Sequence, residues 1–104
     1  MSALSSAPRV ICLGEGLIDR IFHRFDEDHA GEPFWQDFPG GAPANVATGL
    51  VKLGTSAGFV GCVGKDSAGS HLLDTLVAAG VNCSQTQRHP SAPTRLVLVQ
   101  RDRR

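Results

Sequence analysis

Residues 38–45 of this chain read FPGGAPAN, and they lead from an aromatic segment into a helix. Pro43 suits the first turn of that helix and Gly54 the position after its last, so the spacing predicts a helix over residues 43–53. Gly40 and Gly41 let the backbone approach a ligand closely while amide groups stay exposed at the helix start. The stretch therefore predicts a ligand-binding turn or a tight structural turn, and the residues around it must distinguish the two.

Short apolar runs alternate with helical segments on both sides of this stretch. Residues 10–13 and 57–63 are predicted to be buried strands, because they are short and lie between Gly and Pro residues. A second helix is expected to begin after Asp66 or Ser67, either of which can cap it, and to end before Gly80. Further strands are expected over residues 17–22, 34–38 and 94–101. Alternating strands and helices predict an α/β fold with a largely parallel sheet.

The sequence of the first helix predicts which of its residues are buried and where it packs closely. Val46, Leu50 and Leu53 are spaced to form its buried stripe. Gly49 lies inside the helix, where glycine costs about 1 kcal/mol relative to alanine. That cost predicts close packing against the helix at this point.

Composition excludes several classes of protein. The 104 residues carry 10 Lys+Arg and 10 Asp+Glu, so no net charge marks a nucleic-acid or membrane partner. No apolar run approaches the roughly 20 residues of a membrane-spanning helix, and the first residues do not resemble a signal peptide. The cysteines, Cys12, Cys62 and Cys83, form no CxxC pair and are expected to be buried free thiols. These features predict a cytoplasmic location.

Asp19 is the first candidate for chemistry. It follows the first predicted strand, and ligands of open parallel sheets bind outside the carboxyl ends of strands. A carboxylate there can accept hydrogen bonds from sugar hydroxyls, whereas the alternative is a surface aspartate paired with an arginine. Gly14 and Gly16 begin a dinucleotide-binding pattern, but its third glycine is replaced by Asp19 and the match fails.

Each of the other candidate residues can have either a ligand-binding or a structural role. Asn45, in the first turn of the helix, can bind a polyol or satisfy the helix end. Trp35 and Phe34 can cover an apolar sugar face or pack in the core. Residues 63–69, VGKDSAG, are explained by helix capping, and the four histidines show no metal-binding spacing.

Several of these segments together carry a resemblance to a known family. They are ICLGE at residues 11–15 with Asp19, GGAPANVA at 40–47, the pattern G-x-V-G-x-D-x-x-G at 61–69, and Pro93-Thr94. From about residue 9 to 100 the chain resembles the ribokinase/PfkB carbohydrate kinases, and most of all their fructokinase branch.

The resemblance implies transfer of the γ-phosphoryl group of ATP to a fructose-like sugar, with ATP and Mg²⁺ as cofactors. It implies that Asp19, Gly40, Gly41 and Asn45 bind the sugar and, by analogy, that Arg95 faces it. Segments 17–22, 34–38 and 94–101 correspond to a small β-lid over the sugar. In some relatives such a lid also forms a homodimer, which is therefore an expectation for the full-length parent.

The chain departs from the family in one respect. The family's catalytic aspartate lies in a Gly-Ala-Gly-Asp motif, which this sequence lacks, as it lacks the family's ATP-binding part. We therefore expect a disordered segment over residues 1–8 and the N-terminal portion of a kinase domain over residues 9–104. We expect no catalytic residue, bound cofactor or activity in this chain alone. The alternative is a stand-alone sugar-binding or interaction module that complements a separate C-terminal half.

Overall fold

A computed structural model describes residues 7–23 and 34–100, so parts of the expected N-terminal segment and of the last predicted strand lie outside the described residues. The described elements, in chain order, are β1 (Val10–Leu13), β2 (Leu17–His23), β3 (Phe34–Gly40), α1 (Ala42–Lys52), β4 (Ala57–Val60), β5 (Cys62–Gly64), α2 (Ser67–Ala78), β6 (Gln87–His89) and β7 (Leu96–Val99).

The first group of strands is parallel. β1 pairs with β4, and β5 pairs with β6. A further parallel bridge joins Gly58 to Asn82, upstream of β6. α1 packs on β1 and β4, and α2 packs on β2 and β5. The α/β class is confirmed, although β6 was not predicted because its Gln-Arg-His sequence has no apolar alternation.

The second group, which we call the lid sheet, consists of β3, β2 and β7 in that order. β2 runs antiparallel to β3 and parallel to β7. β2 and β3 extend slightly beyond the predicted segments, to His23 and Gly40. β7 is shorter than predicted because Thr94 and Arg95 precede the strand.

The predicted strand over residues 57–63 is interrupted at Gly61. A side chain there would come within 2.7 Å of the Phe59 ring and would overlap the carbonyl oxygen of Gly14. The chain therefore passes tightly beneath the end of β1. β4 and β5 are two short strands for this reason.

The buried stripe predicted for α1 was wrong for two of its three residues, and Leu50 alone packs, partly buried, against the core. Val46 and Leu53 are exposed, and the residues that face the core are Ala44 and Ala47. Small alanine side chains allow the helix axis to lie close to β1 and β4, and the larger residues are left outside. Gly49 does not mark close packing either, since a methyl group added there would meet nothing within 4 Å.

The core lies between the parallel strands and the two helices. Its largest fully buried side chains are Phe59, Ile18 and Leu72. The opposite face of β1 is open: Ile11 is 55% and Leu13 is 74% exposed. All three cysteines are free thiols, but Cys62 is exposed rather than buried.

Asp66 connects α2 to the lid sheet. It is the N-cap of the helix, and its carboxylate accepts the Gly69 N–H at 2.8 Å. The same carboxylate accepts the Thr94 hydroxyl at 2.6 Å and the Thr94 N–H at 2.8 Å. These bonds, led by that of the Thr94 hydroxyl, hold the pKa of Asp66 below its ordinary value. We call this arrangement the Asp66 clamp; it confirms that Asp66 caps the helix.

Replacing Gly49 with alanine is expected to stabilise the protein by about 0.5–1 kcal/mol, the usual difference in helix propensity, because the added methyl group meets no neighbour. Urea unfolding of Gly49→Ala and the parent chain tests this. Gly69→Ala is the contrasting control: its methyl group would overlap the Gly64 carbonyl oxygen and lie 2.7 Å from the Thr94 hydroxyl. Equal destabilisation by both changes would contradict the packing described for α1.

The Asp66 clamp also makes stability depend on pH. Because the folded-state pKa is lowered, the stabilisation is present above the ordinary aspartate pKa of about 3.9 and is lost as the pH falls through the folded-state value. Asp66→Asn should lower the unfolding midpoint at pH 7 and flatten its decline in acid. Asp74→Asn, on an exposed position of the same helix, should change neither. Parallel pH profiles for Asp66→Asn and the parent would refute the clamp.

Candidate functional site

The candidate site lies where three backbone segments meet. They are the loop after β1, the start of β2, and the turn from β3 into α1. Gly41 has φ +96°, and a side chain there would come within 2.6 Å of the Glu15 carbonyl oxygen and 3.0 Å of Gly16 Cα. Only glycine combines this conformation with so close an approach. The FPGGAPAN stretch is therefore seated directly on the loop after β1.

Asp19 and Gly40 are neighbours in this junction. A methyl group on Gly40 would overlap the Asp19 carboxylate and lie 2.9 Å from its Cγ. Asp19 is half-buried, and its side chain makes no hydrogen bond or ion pair with any residue in the described ranges. Arg20 is bound instead by Asp37, at 2.7 Å, and Arg95 by Glu15, at 2.7 Å. The alternative of an arginine-paired surface aspartate is thus not what the structure shows.

Asn45 lies one turn into α1. Its backbone N–H donates to the Gly41 carbonyl at 2.9 Å, which is the first hydrogen bond of the helix. No side chain caps this helix, and its first turn contains no acidic residue. The exposed Asn45 amide therefore does not satisfy the helix end. The structure brings Asp19, Gly40 and Gly41 together and places Asn45 one helical turn beyond Gly41.

The aromatic residues lie on both faces of the lid sheet. Successive side chains of a strand point to opposite faces, so the partner of Asp19 in the register, Phe38, shares its face. Trp35 is paired with Phe22, with ring centroids 4.8 Å apart, and lies on the other face. Of the aromatic side chains on β3, Phe38 rather than Trp35 is therefore the one beside Asp19, and it is 38% exposed.

Glu15 is the residue that sequence reasoning missed. Its side chain forms the ion pair with Arg95, and its carbonyl oxygen lies beneath Gly41. The available signal was its place between Gly14 and Gly16, in a loop that the sequence already assigned to the end of β1. Charge alone did not identify its partner, which lies 80 residues later.

The described residues do not fit a resident metal ion. Among residues 7–23 and 34–100, no group of three or more His, Cys, Asp or Glu side chains lies together. The sequence also lacks a phosphate-binding G-x-x-x-x-G-K-[ST] loop. Within the same described ranges, no helix is both long enough and apolar enough to cross a membrane.

The mixed α/β body and its lid sheet are similar to those of known sugar kinases, which gives the class of protein. The family model described as pfkB family carbohydrate kinase matches residues 7–104. The chain belongs to this family.

Similar proteins carry the name fructokinase. Probable fructokinase-6, chloroplastic, from Arabidopsis thaliana is 41% identical over 93 residues, which are 89% of this chain and 24% of that protein. The crystal structure of a fructokinase from Xylella fastidiosa superposes with a TM-score of 0.81 at 35% identity, over 89% of this chain and 28% of the other.

A third similar protein has been solved with ligands bound. A double mutant of the fructokinase from Vibrio cholerae O395, solved with fructose, ADP and potassium ion bound, has a TM-score of 0.75 at 32% identity. The match covers 86% of this chain and 27% of that one. This chain thus spans about a quarter of the length of these relatives.

Proposed function

We propose that this chain supplies the sugar-binding part of a fructokinase-like kinase. The observation that carries the proposal is Asp19: a half-buried carboxylate, unpaired among the described residues, set against Gly40 beside the start of α1. A partly exposed carboxylate that has no partner in the protein is free to accept hydrogen bonds from a ligand. Its position after β1 and at the glycine turn is where an α/β fold binds ligands.

The chemistry of the site suits a polyol. The Asp19 carboxylate only accepts hydrogen bonds, so it pairs with sugar hydroxyls as donors. The Asn45 amide both donates and accepts. Gly40 and Gly41 allow the turn into α1 to pack directly against Asp19 and the loop after β1, and Phe38 offers an apolar surface beside Asp19. A fructose-like sugar fits this set, and fructose is bound in one structural relative.

Phosphoryl transfer needs more than this set of residues provides. It depends on a base, on metal ions that neutralise the developing charge, and on groups that position the nucleotide. We assign ATP, Mg²⁺ and the catalytic base to residues outside this chain.

Two further properties belong to the same proposal. The lid sheet exposes Trp35, Leu96 and Leu98, with Leu98 at 61% exposure, and an apolar sheet face of this kind favours a homodimer of the full-length parent. A cytoplasmic location stays a prediction from the sequence.

Titration calorimetry of the 104-residue chain with fructose tests the sugar site. Asp19→Asn should weaken binding by at least tenfold, because hydrogen bonds to a charged group contribute about 1.5–3 kcal/mol. Asp74→Asn on α2 is the matched control and should bind as the parent does. The chain alone should show no ATP-dependent phosphorylation of fructose. Equal affinity of Asp19→Asn and the parent would reject the assignment of Asp19.

A second candidate function is that of an interaction module that pairs with a separate C-terminal half. The open face of β1 favours it, since Ile11 and Leu13 are apolar, adjacent on one face and largely exposed. Buried strands of parallel sheets are normally covered on both faces. This face therefore fits an apolar protein surface.

Mixing the chain with the separately produced C-terminal part of a fructokinase relative tests the second candidate. A one-to-one complex with fructose phosphorylation is expected, and Leu13→Ser should weaken its formation because a polar group would be buried. Leu53→Ser, at a position 84% exposed after α1, is the control and should leave the complex intact. Size-exclusion chromatography that shows no complex, or equal complex with both variants, would argue against this function.

A further inference from the structure

We propose that Glu15 and Arg95 are positioning residues, and that their ion pair holds the lid sheet over the floor of the candidate sugar site. The inference rests on the proposed function for its effect on sugar binding. The ion pair itself joins Arg95 Nη1 to Glu15 Oε2 at 2.7 Å. We call it the lid latch.

Glu15 belongs to the floor. Its carbonyl oxygen is the backbone atom closest to the position where Gly41 would carry a side chain, at 2.6 Å. Gly14 is equally close to the helix, since a side chain there would lie 2.6 Å from Pro43 Cγ. Any movement of Glu15 therefore moves the surface on which Gly41 and the start of α1 are seated.

Arg95 belongs to the lid. Its carbonyl oxygen accepts the Ile18 N–H at 3.0 Å, one residue before Asp19. The β2–β7 register then places Val97 opposite Asp19. Thr94, directly before Arg95, is held by the Asp66 clamp. Arg95 is thus the residue at which the anchored backbone enters the lid sheet.

Because both side chains of the pair are exposed, the pair can position the lid without contributing much to the stability of the fold. The two side chains are 66% and 51% exposed, and exposed ion pairs contribute little to stability. Their contribution is geometric, because one end lies in the floor and the other in the lid. Breaking the pair should loosen the lid relative to Gly41 and leave the thermal midpoint of the chain nearly unchanged.

The structure offers a matched control. Asp37 forms an ion pair with Arg20 at the same 2.7 Å distance, but both residues lie within the lid sheet, on neighbouring strands. This pair does not connect the lid to the floor. Asp37→Asn therefore removes the acid of a second ion pair, which is bidentate, without touching the latch.

The experiment compares Glu15→Gln, Asp37→Asn and the charge-swapped double variant Glu15→Arg/Arg95→Glu in the full chain. Fructose affinity is measured by calorimetry, the midpoint by thermal unfolding, and the Ile18 amide by hydrogen exchange. We expect Glu15→Gln to weaken fructose binding about threefold to fivefold, the scale of one exposed ion pair, and to speed exchange at Ile18. The double variant should recover both, and Asp37→Asn should change neither.

The two readouts separate failure of the latch from failure of the proposed function. If the parent chain binds fructose and Glu15→Gln binds equally well, the latch is wrong. If the parent does not bind fructose, the proposed function fails, and the exchange rate at Ile18 alone decides. Faster exchange in Glu15→Gln but not in Asp37→Asn then supports the latch, and equal exchange in both overturns it.

Discussion

The Asp66 carboxylate is the group on which the rest of this structure depends. It accepts hydrogen bonds from Gly69 at the start of α2 and from both donors of Thr94. The Thr94 oxygen in turn accepts the Gly64 N–H at 2.9 Å, at the end of β5. One acidic side chain and one hydroxyl thereby fix a helix, a strand end and the entry into β7. Because β7 pairs with β2, the position of Asp19 depends on this network.

The glycines around the clamp are explained by its tightness. A side chain on Gly64 would come within 2.7 Å of the Thr94 nitrogen and 2.8 Å of the Asp66 carboxylate. A side chain on Gly69 would displace the Thr94 hydroxyl. The pattern V-G-x-D-x-x-G is therefore a description of this packing: two glycines leave the space in which one aspartate can reach three donors. Thr94 is the one buried polar residue among those described, and its hydroxyl is fully used.

How far the sequence predicts this fold depends on the range of the interactions. The signals that start and end the helices are local: Pro43 and Gly54 bound α1, and Asp66 caps α2. The helices predicted from them agree with the structure to within a residue or two. The buried face of α1 was mispredicted because the periodicity argument counted large apolar residues such as Val46. The helix lies close to β1, where small side chains are needed, so Ala44 and Ala47 are the buried residues. β6 was missed because its polar residues pair only through their backbone.

In the candidate site, too, local features could be predicted from the sequence and long-range contacts could not. Asp19, Gly40, Gly41 and Asn45 could be selected from residue type and from their place at strand and helix ends. The contact of Gly41 with Glu15 and the ion pair of Glu15 with Arg95 could not, because both join segments distant in the chain. No local pattern records which of several charged residues meet after folding. The topology has to be known before such pairs can be assigned.

Binding a sugar and transferring a phosphoryl group to it require different sets of residues. The proposed sugar binding would use the Asp19 carboxylate, the Asn45 amide and the backbone at Gly41, which lie at the junction of β1, β2 and α1. Phosphoryl transfer needs charges of opposite sign gathered around a metal and a nucleotide. Three of the described acids form hydrogen bonds or ion pairs within the protein: Asp66 with Thr94, Asp37 with Arg20 and Glu15 with Arg95. Among the described acids, the side chains of Asp19 and of the exposed Asp74 on α2 form no such bond, and of these two only Asp19 lies beside the glycine turn, which is why the proposed sugar site is built on it.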